Sequence, residues 1–161
     1  MAKLLSSCLG VKRPVPMASP DYAITVYNPQ QVPNLVSIFA MYPDVKFDIM
    51  IANPLFSHQF TVVAKNYQNV FLNSYWWYPM YPEIIRSYLK LRLQMLPYSK
   101  IGGFFSYAYT VEWIYGKAAL AKKELAYVLA EMVYLDYIDR DTAIDIAKAV
   151  LDENTIKLYK I

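Results

Sequence analysis

The chain has 161 residues, enough for one domain and too few for two. Hydrophobic residues make up 57% of the sequence and charged residues 18%, so a sizeable core can form and overall disorder is excluded. One cysteine excludes a disulfide within the chain, and one histidine excludes a metal site built from several histidines. The net charge of +3 says little about partners until its distribution along the chain is considered.

The beginning of the chain is rich in proline and poor in glycine. Seven prolines fall between residues 14 and 54, whereas no glycine occurs over residues 11–101. Proline fixes φ and removes a backbone donor, so such a segment is stiff and extended. We therefore predict an extended N-terminal arm over residues 1–34, followed by a single helical domain over residues 35–161. The alternative for this segment is a long irregular loop wrapped on the chain's own core.

The first half of the chain contains only weak signals for regular elements. Residues 22–27 and 60–63 have β-branched and aromatic character, but neither segment alternates for long enough to predict a sheet. Residues 32–41 and 57–74 fit a helix about as well, because apolar side chains recur at spacings of three and four.

The second half of the chain is predicted to be helical. Apolar periodicity indicates helices over residues 83–96 and 116–135, and a final helix that Asp139 caps and that ends by Asn154. The turn between the last two helices is short, so they should pack antiparallel. The predicted fold class is mainly α: a helical bundle with a C-terminal antiparallel helical hairpin and an extended Pro-rich N-terminal arm.

Motifs for catalysis, cofactors and metals are not found. The four glycines do not form a phosphate-binding loop, and nothing in the sequence orients Cys8 and His58 as nucleophile and base. Four aspartates lie close together, but their spacing lacks the glycine and the third ligand of a calcium loop, so helix capping explains them better. These are Asp136, Asp139, Asp141 and Asp145. We expect no enzyme, no cofactor and no metal.

Positive charge is concentrated in two stretches without acids, residues 1–20 and 84–111. The second stretch interleaves its cations with aromatic residues, a pattern that favours an anionic partner because lysine and arginine neutralise phosphates. The alternative is a helix whose tyrosines are core and whose basic residues face water. The seven candidate phosphate contacts are Lys3, Lys12, Arg13, Arg86, Lys90, Arg92 and Lys100.

A pattern near the end of the chain carries a family resemblance. An Ala/Leu-rich helix begins at Lys117 and runs into Tyr134 and Tyr137, and a tight turn and a short helix over residues 142–150 follow. Over residues 116–154 this pattern resembles the major capsid proteins of filamentous and rod-shaped archaeal double-stranded DNA viruses. The resemblance implies a helical bundle with an N-terminal extension, whose paired subunits wrap the DNA duplex.

The resemblance and the basic stretches together predict a non-enzymatic capsid protein that coats double-stranded DNA in a virion, without reading its sequence. Its expected partners are DNA and a second copy or a sister capsid subunit, in a helical polymer that a lipid envelope could cover. Its expected locations are the virion and, during assembly, the host cytoplasm. The alternatives are a small protein-interaction module and a peripheral membrane protein anchored by Trp76 and Trp77.

Overall fold

The computed structural model describes residues 3–12, 24–75, 80–103 and 108–160. The strands in these ranges are β1 (Lys3–Leu9), β2 (Val11–Lys12), β3 (Ile24–Thr25), β4 (Val45–Ile51) and β5 (Val70–Tyr75). The α-helices are α1 (Gln31–Met41), α2 (Ser57–Asn66), α3 (Pro82–Met95), α4 (Val111–Tyr134), α5 (Arg140–Lys148) and α6 (Asn154–Tyr159). Short 3-10 turns occur at Pro54–Phe56 and Tyr98–Lys100, and a π-helical turn at Ala149–Glu153 joins α5 to α6.

The centre of the molecule is a parallel sheet in the order β1-β4-β5, which is also the order of the strands along the chain. β1 pairs with β4 from Lys3 opposite Val45 to Leu9 opposite Ile51. Ile101 extends the sheet beyond β5 through a parallel bridge to Leu72. Connections between parallel strands are right-handed. When the strand order does not reverse, as here, the connecting helices therefore all lie on the same face of the sheet. This is the winding of α/β barrels, and it differs from that of a doubly wound sheet.

Helices α1, α2 and α3 cover one face of the sheet with a single apolar core. Phe47 and Ile49 of β4 are buried in a cluster with Phe39 of α1 and Phe60 of α2, and the rings of Phe39 and Phe47 lie 4.8 Å apart. Ile85 of α3 belongs to the same cluster. Because side chains alternate along a strand, the residues between these core positions point to the opposite face of the sheet.

The helical second half is largely as the sequence indicates. The predicted helices over 83–96 and over 116–135 correspond to α3 and α4, and the predicted cap is confirmed, since Asp139 Oδ1 accepts from Thr142 N at 2.7 Å. α4 begins five residues earlier than predicted, because the Thr110 hydroxyl caps it by accepting from Trp113 N at 3.4 Å. Searched over the described ranges, no helix is long and apolar enough to span a membrane.

The prediction of a mainly α helical bundle is wrong. Residues 45–51 form the central strand of a parallel sheet, and the alternation of apolar and polar residues from Val45 to Ile49 is a strand pattern that the helical prediction left unused. The predicted helix over residues 57–74 is in fact α2 followed by β5. Residues 60–63 are helical, whereas residues 22–27 contain the short strand β3.

The structure describes part of the segment predicted as an arm. Residues 3–9 form β1 in the sheet, so this stretch pairs with the core and does not extend away from it. Residues 13–23 lie outside the described ranges, and α1 begins at Gln31. The division of the chain into an arm over 1–34 and a domain over 35–161 stays a prediction.

Candidate functional site

A buried carboxyl group lies on the face of the sheet opposite the apolar core. Asp48 of β4 is fully buried, and its Oδ2 accepts hydrogen bonds from Asn73 Nδ2 of β5, at 2.8 Å, and from the Tyr159 hydroxyl of α6. Asp48 Oδ1 is also buried and has no hydrogen-bond partner among the described residues. The site therefore joins two neighbouring strands to the last helix through one carboxyl group.

Burial controls the ionisation of this carboxyl group. Removal from water raises the pKa of Asp48, and the hydrogen bonds from Tyr159 and Asn73, which favour the charged form, only partly oppose that rise. Arg92 of α3, itself 2% exposed, donates from Nη1 to the backbone oxygen of Asn73 at 3.2 Å. A guanidinium group is thus connected to Asp48 through Asn73, whose backbone oxygen contacts Arg92 and whose side chain contacts Asp48.

A groove with a volume of about 670 Å³ opens beside this cluster, at the amino ends of β4 and β5. Lys46 and Phe71, each the second residue of its strand, form one wall, and Glu153 and Lys157 form part of the other. A small cavity that Asp48 and Asn73 line shares four lining residues with the groove, so the two are adjacent. α6 is anchored here, because Asn154 Nδ2 donates to the backbone oxygens of Tyr98 and Ile101 at 2.6 and 2.9 Å.

The opposite, carboxyl edge of the sheet is closely packed where β1 and β4 end. Gly10 has a positive φ of 82°, and a Cβ at this position would lie 2.5 Å from Asn53 Cβ. Asn53 is buried, and its Oδ1 accepts from Leu55 N at 3.0 Å. Lys12, two residues beyond Gly10, is exposed. Carboxyl edges of parallel sheets are the usual place for ligands in α/β proteins.

Two of the predicted phosphate contacts form ion pairs between α3 and α4. Arg86 binds Glu124, whose side chain is 2% exposed, and the Arg86 guanidinium also lies 4.1 Å from the centre of the Tyr127 ring. The ion pair with Glu124 raises the pKa of Arg86. Lys90 Nζ lies 2.6 Å from Glu131 Oε1. The stretch without acids therefore receives its negative partners from the next helix.

Two further predicted contacts are engaged inside the protein. Arg92 is buried and donates to Asn73, as described above. Lys100 Nζ donates to the backbone oxygens of Ala64 and Tyr67, both at 2.6 Å, and so satisfies carbonyl groups at the C-terminal end of α2. Burial lowers the pKa of Lys100.

The remaining predicted contacts are in the first part of the chain. Lys3 lies at the start of β1, Lys12 is exposed in β2, and Arg13 lies outside the described residues. Of the seven residues, the structure shows Arg86 and Lys90 in ion pairs with α4, and Arg92 and Lys100 bonded to backbone oxygens. Their role as DNA contacts stays a prediction, whereas the capsid function for which it was predicted is contradicted by the structural comparisons.

The other residues that the sequence singled out lie on separate elements. His58 is exposed on α2, and Cys8 lies in β1. Asp139 caps α5, and its hydrogen bonds with Thr142 lower its pKa. Within the ranges that the structure describes, no group of three or more histidine, cysteine, aspartate or glutamate residues could hold a metal ion.

Sequence reasoning missed Asp48, Asn73 and Tyr159. The available signal was a single aspartate inside the apolar run of residues 47–51, where a charge is costly unless it has a structural or functional role. Asn73 and Tyr159 carry no comparable signal, because each is unremarkable until the fold brings it to Asp48.

Comparison with known proteins gives matches only at the level of structure. No protein-family model matches the sequence, and none of the curated proteins matches it. The fold matches a uronate isomerase of Thermotoga maritima over 97% of this chain and 36% of the isomerase, with a TM-score of 0.84 and 16% identity. A uronate isomerase of Bacillus halodurans C-125 matches over 98% and 38% of the two chains, with a TM-score of 0.77 and 20% identity.

A third structure gives the same result. A glucuronate isomerase of Caulobacter crescentus matches over 86% of this chain and 29% of its own, with a TM-score of 0.76 and 17% identity. This chain thus spans about a third of the length of these isomerases. At such identities the likeness shows the fold alone.

These matches overturn the predicted resemblance to viral capsid proteins and the predicted function of coating DNA in a virion. The helical pattern over residues 116–154 is present as α4 and α5, but an amphipathic helical hairpin occurs in many folds and does not identify one. The prediction that the chain is not an enzyme also conflicts with an enzyme fold. DNA, sister subunits and an envelope stay predictions as partners, as do the predicted locations. The chain shares the fold of uronate isomerases over about a third of their length.

Proposed function

We propose that this chain is itself an isomerase that acts on a uronate, a sugar that carries a carboxylate. The observation that carries the proposal is the match of 97% of the chain to a uronate isomerase with a TM-score of 0.84. Isomerases from two further organisms, described as acting on uronate or glucuronate, share the fold. One fold can host many reactions, so the agreement in substrate among the three supports the proposal more than the fold itself does.

The substrate would bind at the carboxyl edge of the parallel sheet, where α/β proteins bind their ligands. Lys12 is the exposed cation that follows β1 at this edge. A uronate differs from a neutral sugar by its carboxylate, and a lysine ammonium group is the charge complement of a carboxylate. Lys12 is therefore assigned to substrate recognition, and the close packing of Gly10 on Asn53 would fix the backbone from which it projects.

The proposal is tested by incubating the full chain with D-glucuronate and following the appearance of a second set of sugar resonances by proton NMR. D-glucose, which lacks the carboxylate, should give no product. We expect Lys12→Gln to lower the rate at low substrate by at least about tenfold, because one charge-assisted contact is worth about 1.5–3 kcal/mol. Lys65→Gln is the matched control, since Lys65 is exposed at the C-terminal end of α2. Absence of product from glucuronate would contradict the proposal.

A further inference from the structure

The groove at the amino ends of β4 and β5 lies at the other end of the strands from the carboxyl edge. Its volume of about 670 Å³ falls within the range of small-molecule sites, roughly 300–1,000 Å³. Phe71 and Tyr98 contribute aromatic groups to its lining, and charged side chains come from β4, α5 and the α6 region. The groove is thus large enough for a compact ligand and offers both apolar and polar contacts.

The groove is lined by two cations, Lys46 and Lys157, and two anions, Asp145 and Glu153, and one of the cations is not in an ion pair with a described residue. Lys157 Nζ pairs with Glu153 at 3.0 Å, and Asp145 pairs with Lys148 at 3.8 Å. Lys46 belongs to none of the ion pairs formed by the described residues, and its Nζ lies 5.7 Å from the centre of the Phe71 ring. Lys46 is half-buried, so an anion bound there would be partly shielded from water. A carboxylate on the ligand would complement this charge.

The cavity next to the groove holds the second recognition element. Its volume is about 10 Å³, close to the minimum for one water molecule or one hydroxyl group. Asp48 lines it, and Asp48 Oδ1 is a buried acceptor without a hydrogen-bond partner in the described chain. Buried polar atoms are normally satisfied, so an acceptor in this position indicates a donor that comes from outside the chain.

Lys46 and Asp48 stand at a fixed distance from each other. They are two residues apart on one strand and therefore point to the same face, with Cα atoms about 6.6 Å apart. Phe71, which lies opposite Asp48 in the register of β4 and β5, lines both the groove and the cavity. A ligand that reaches both residues must carry an acid group and a hydroxyl group several bonds apart.

We propose that the groove binds a small hydroxy acid, with its carboxylate against Lys46 and one hydroxyl group in the cavity, donating to Asp48 Oδ1. Sugar acids in their open-chain form belong to this chemical class. A ligand without a carboxylate leaves Lys46 without its counter-ion, and a ligand without hydroxyl groups leaves Asp48 Oδ1 unsatisfied. The site lies at the end of the sheet opposite Lys12, and the proposal does not rest on the proposed isomerase function.

Isothermal titration calorimetry of the full chain tests this proposal, with D-gluconate as the probe. D-glucitol has the hydroxyl groups without the acid, and hexanoate has the acid without the hydroxyl groups. We expect gluconate to bind at least about tenfold more tightly than either, because each removes one of the two charge-assisted contacts. Equal affinity for gluconate and glucitol, or no heat with gluconate at millimolar concentrations, would overturn the proposal.

Variants locate the binding. Lys46→Gln should weaken gluconate binding by about tenfold, whereas Lys123→Gln, on an exposed position of α4, should leave it unchanged. Asp48→Asn should also weaken binding, since an amide can still accept from Asn73 and Tyr159 but then turns its NH₂ group toward the cavity. Thermal melting of each variant verifies its folding.

The two proposals fail separately. If Lys12→Gln loses gluconate binding and Lys46→Gln keeps it, the groove site is overturned and the ligand lies at the carboxyl edge. A chain that binds gluconate through Lys46 and produces no isomer from glucuronate would support the groove site and contradict only the isomerase function. Lys46→Gln is expected to retain any isomerase activity.

Discussion

Asp48 is an ionisable residue at a fully buried position. Its chain neighbours Phe47 and Ile49 point into the apolar core, whereas Asp48 itself points to the other face and is still fully buried. The hydrogen bonds from Asn73 and Tyr159 satisfy only one of its two oxygens. Its protonation state is therefore linked to folding.

Replacement of Asp48 by asparagine should change how stability depends on pH. The fold raises the pKa of this carboxyl group, so between the unfolded and folded pKa values the folded state holds a proton that the unfolded chain has lost. The free energy of unfolding must then fall as pH rises through that interval. We expect Asp48→Asn to flatten this decline above about pH 4.

Urea denaturation at several pH values measures this effect, and Asp44→Asn, at an exposed position, serves as the control. Parallel profiles for the wild type and Asp48→Asn would show that Asp48 does not contribute to the pH dependence.

Replacing glycine by alanine should have opposite effects on the free energy of unfolding at two positions, Gly10 and Gly116. Gly10→Ala should lower the free energy of unfolding by about 2 kcal/mol, because a positive φ strains an alanine and its Cβ would overlap Asn53. Gly116→Ala should raise it by about 0.5–1 kcal/mol, because Gly116 lies in α4 with nothing within 4 Å of an added Cβ. Chemical denaturation compares the two, and effects of the same sign would contradict the local geometry described here.

Single residues were predictable from the sequence where their role is local. Asp139 was identified as a cap because capping depends on the residues directly after it, and its hydrogen bond to Thr142 confirms this. Asp48 and Lys46 were not identified as a pair, since their significance depends on Asn73, Phe71 and Tyr159, which come from distant parts of the chain.

The contact between α3 and α4 shows how a local charge pattern can mislead. Arg86 and Lys90 suggested an anionic ligand because their own stretch contains no acid, but Glu124 and Glu131 of α4 face them. The two pairs differ in burial. The Glu124 side chain is 2% exposed, whereas those of Lys90 and Glu131 are 35% and 37% exposed.

This difference in burial gives an order of stability for two variants. Arg86→Ala should lower the melting temperature more than Lys90→Ala does, because it leaves the buried carboxylate of Glu124 without its partner and also removes the stacking on Tyr127. The exposed pair should contribute little, as is usual for surface ion pairs. Differential scanning calorimetry measures both, and Glu124→Gln in the Arg86→Ala background should recover part of the loss. A larger loss in Lys90→Ala would contradict this assignment.

Elements with an exposed polar face were predictable, and elements without one were not. α3, α4 and α5 each combine an apolar stripe with a polar face, and the sequence predicts all three, whereas it left residues 32–41, which contain most of α1, undecided. β4 alternates apolar and polar residues only from Val45 to Ile49, and the apolar residues Met50 and Ile51 end this strand pattern after five positions. β5 follows α2 after three residues, and the apolar spacing of the two elements together matches that of one continuous helix.

The strand pairing in the sheet predicts which backbone amides are most strongly protected from hydrogen exchange. β4 is paired on both sides and is largely buried, whereas β2 and β3 pair over only two residues each. We expect amide hydrogens of β4 to exchange at least about a hundredfold more slowly than those of β2 and β3, because exchange in a central strand requires the widest opening. Hydrogen exchange followed by NMR measures this ratio. Comparable rates in the two regions would mean that the parallel sheet does not form the stable centre of the fold.

The function of the molecule depended on information that the sequence alone does not carry. Parallel pairing joins segments more than 20 residues apart, and the intervening residues do not reveal it. The resemblance over residues 116–154 and the basic stretches led to the mistaken capsid function, whereas the comparison of whole folds shows the fold that this chain shares with uronate isomerases.

The hydrogen bond from Tyr159 to Asp48 also has a consequence for the order of events during synthesis on the ribosome. The two residues are 111 positions apart, so β4 leaves the ribosome long before its second hydrogen-bond donor has been made. Until then, the Asp48 carboxyl group can remain hydrated and charged on an open sheet face. The docking of α6 displaces that water, so the hydrogen bonds around Asp48 are completed only after α6 has been synthesised.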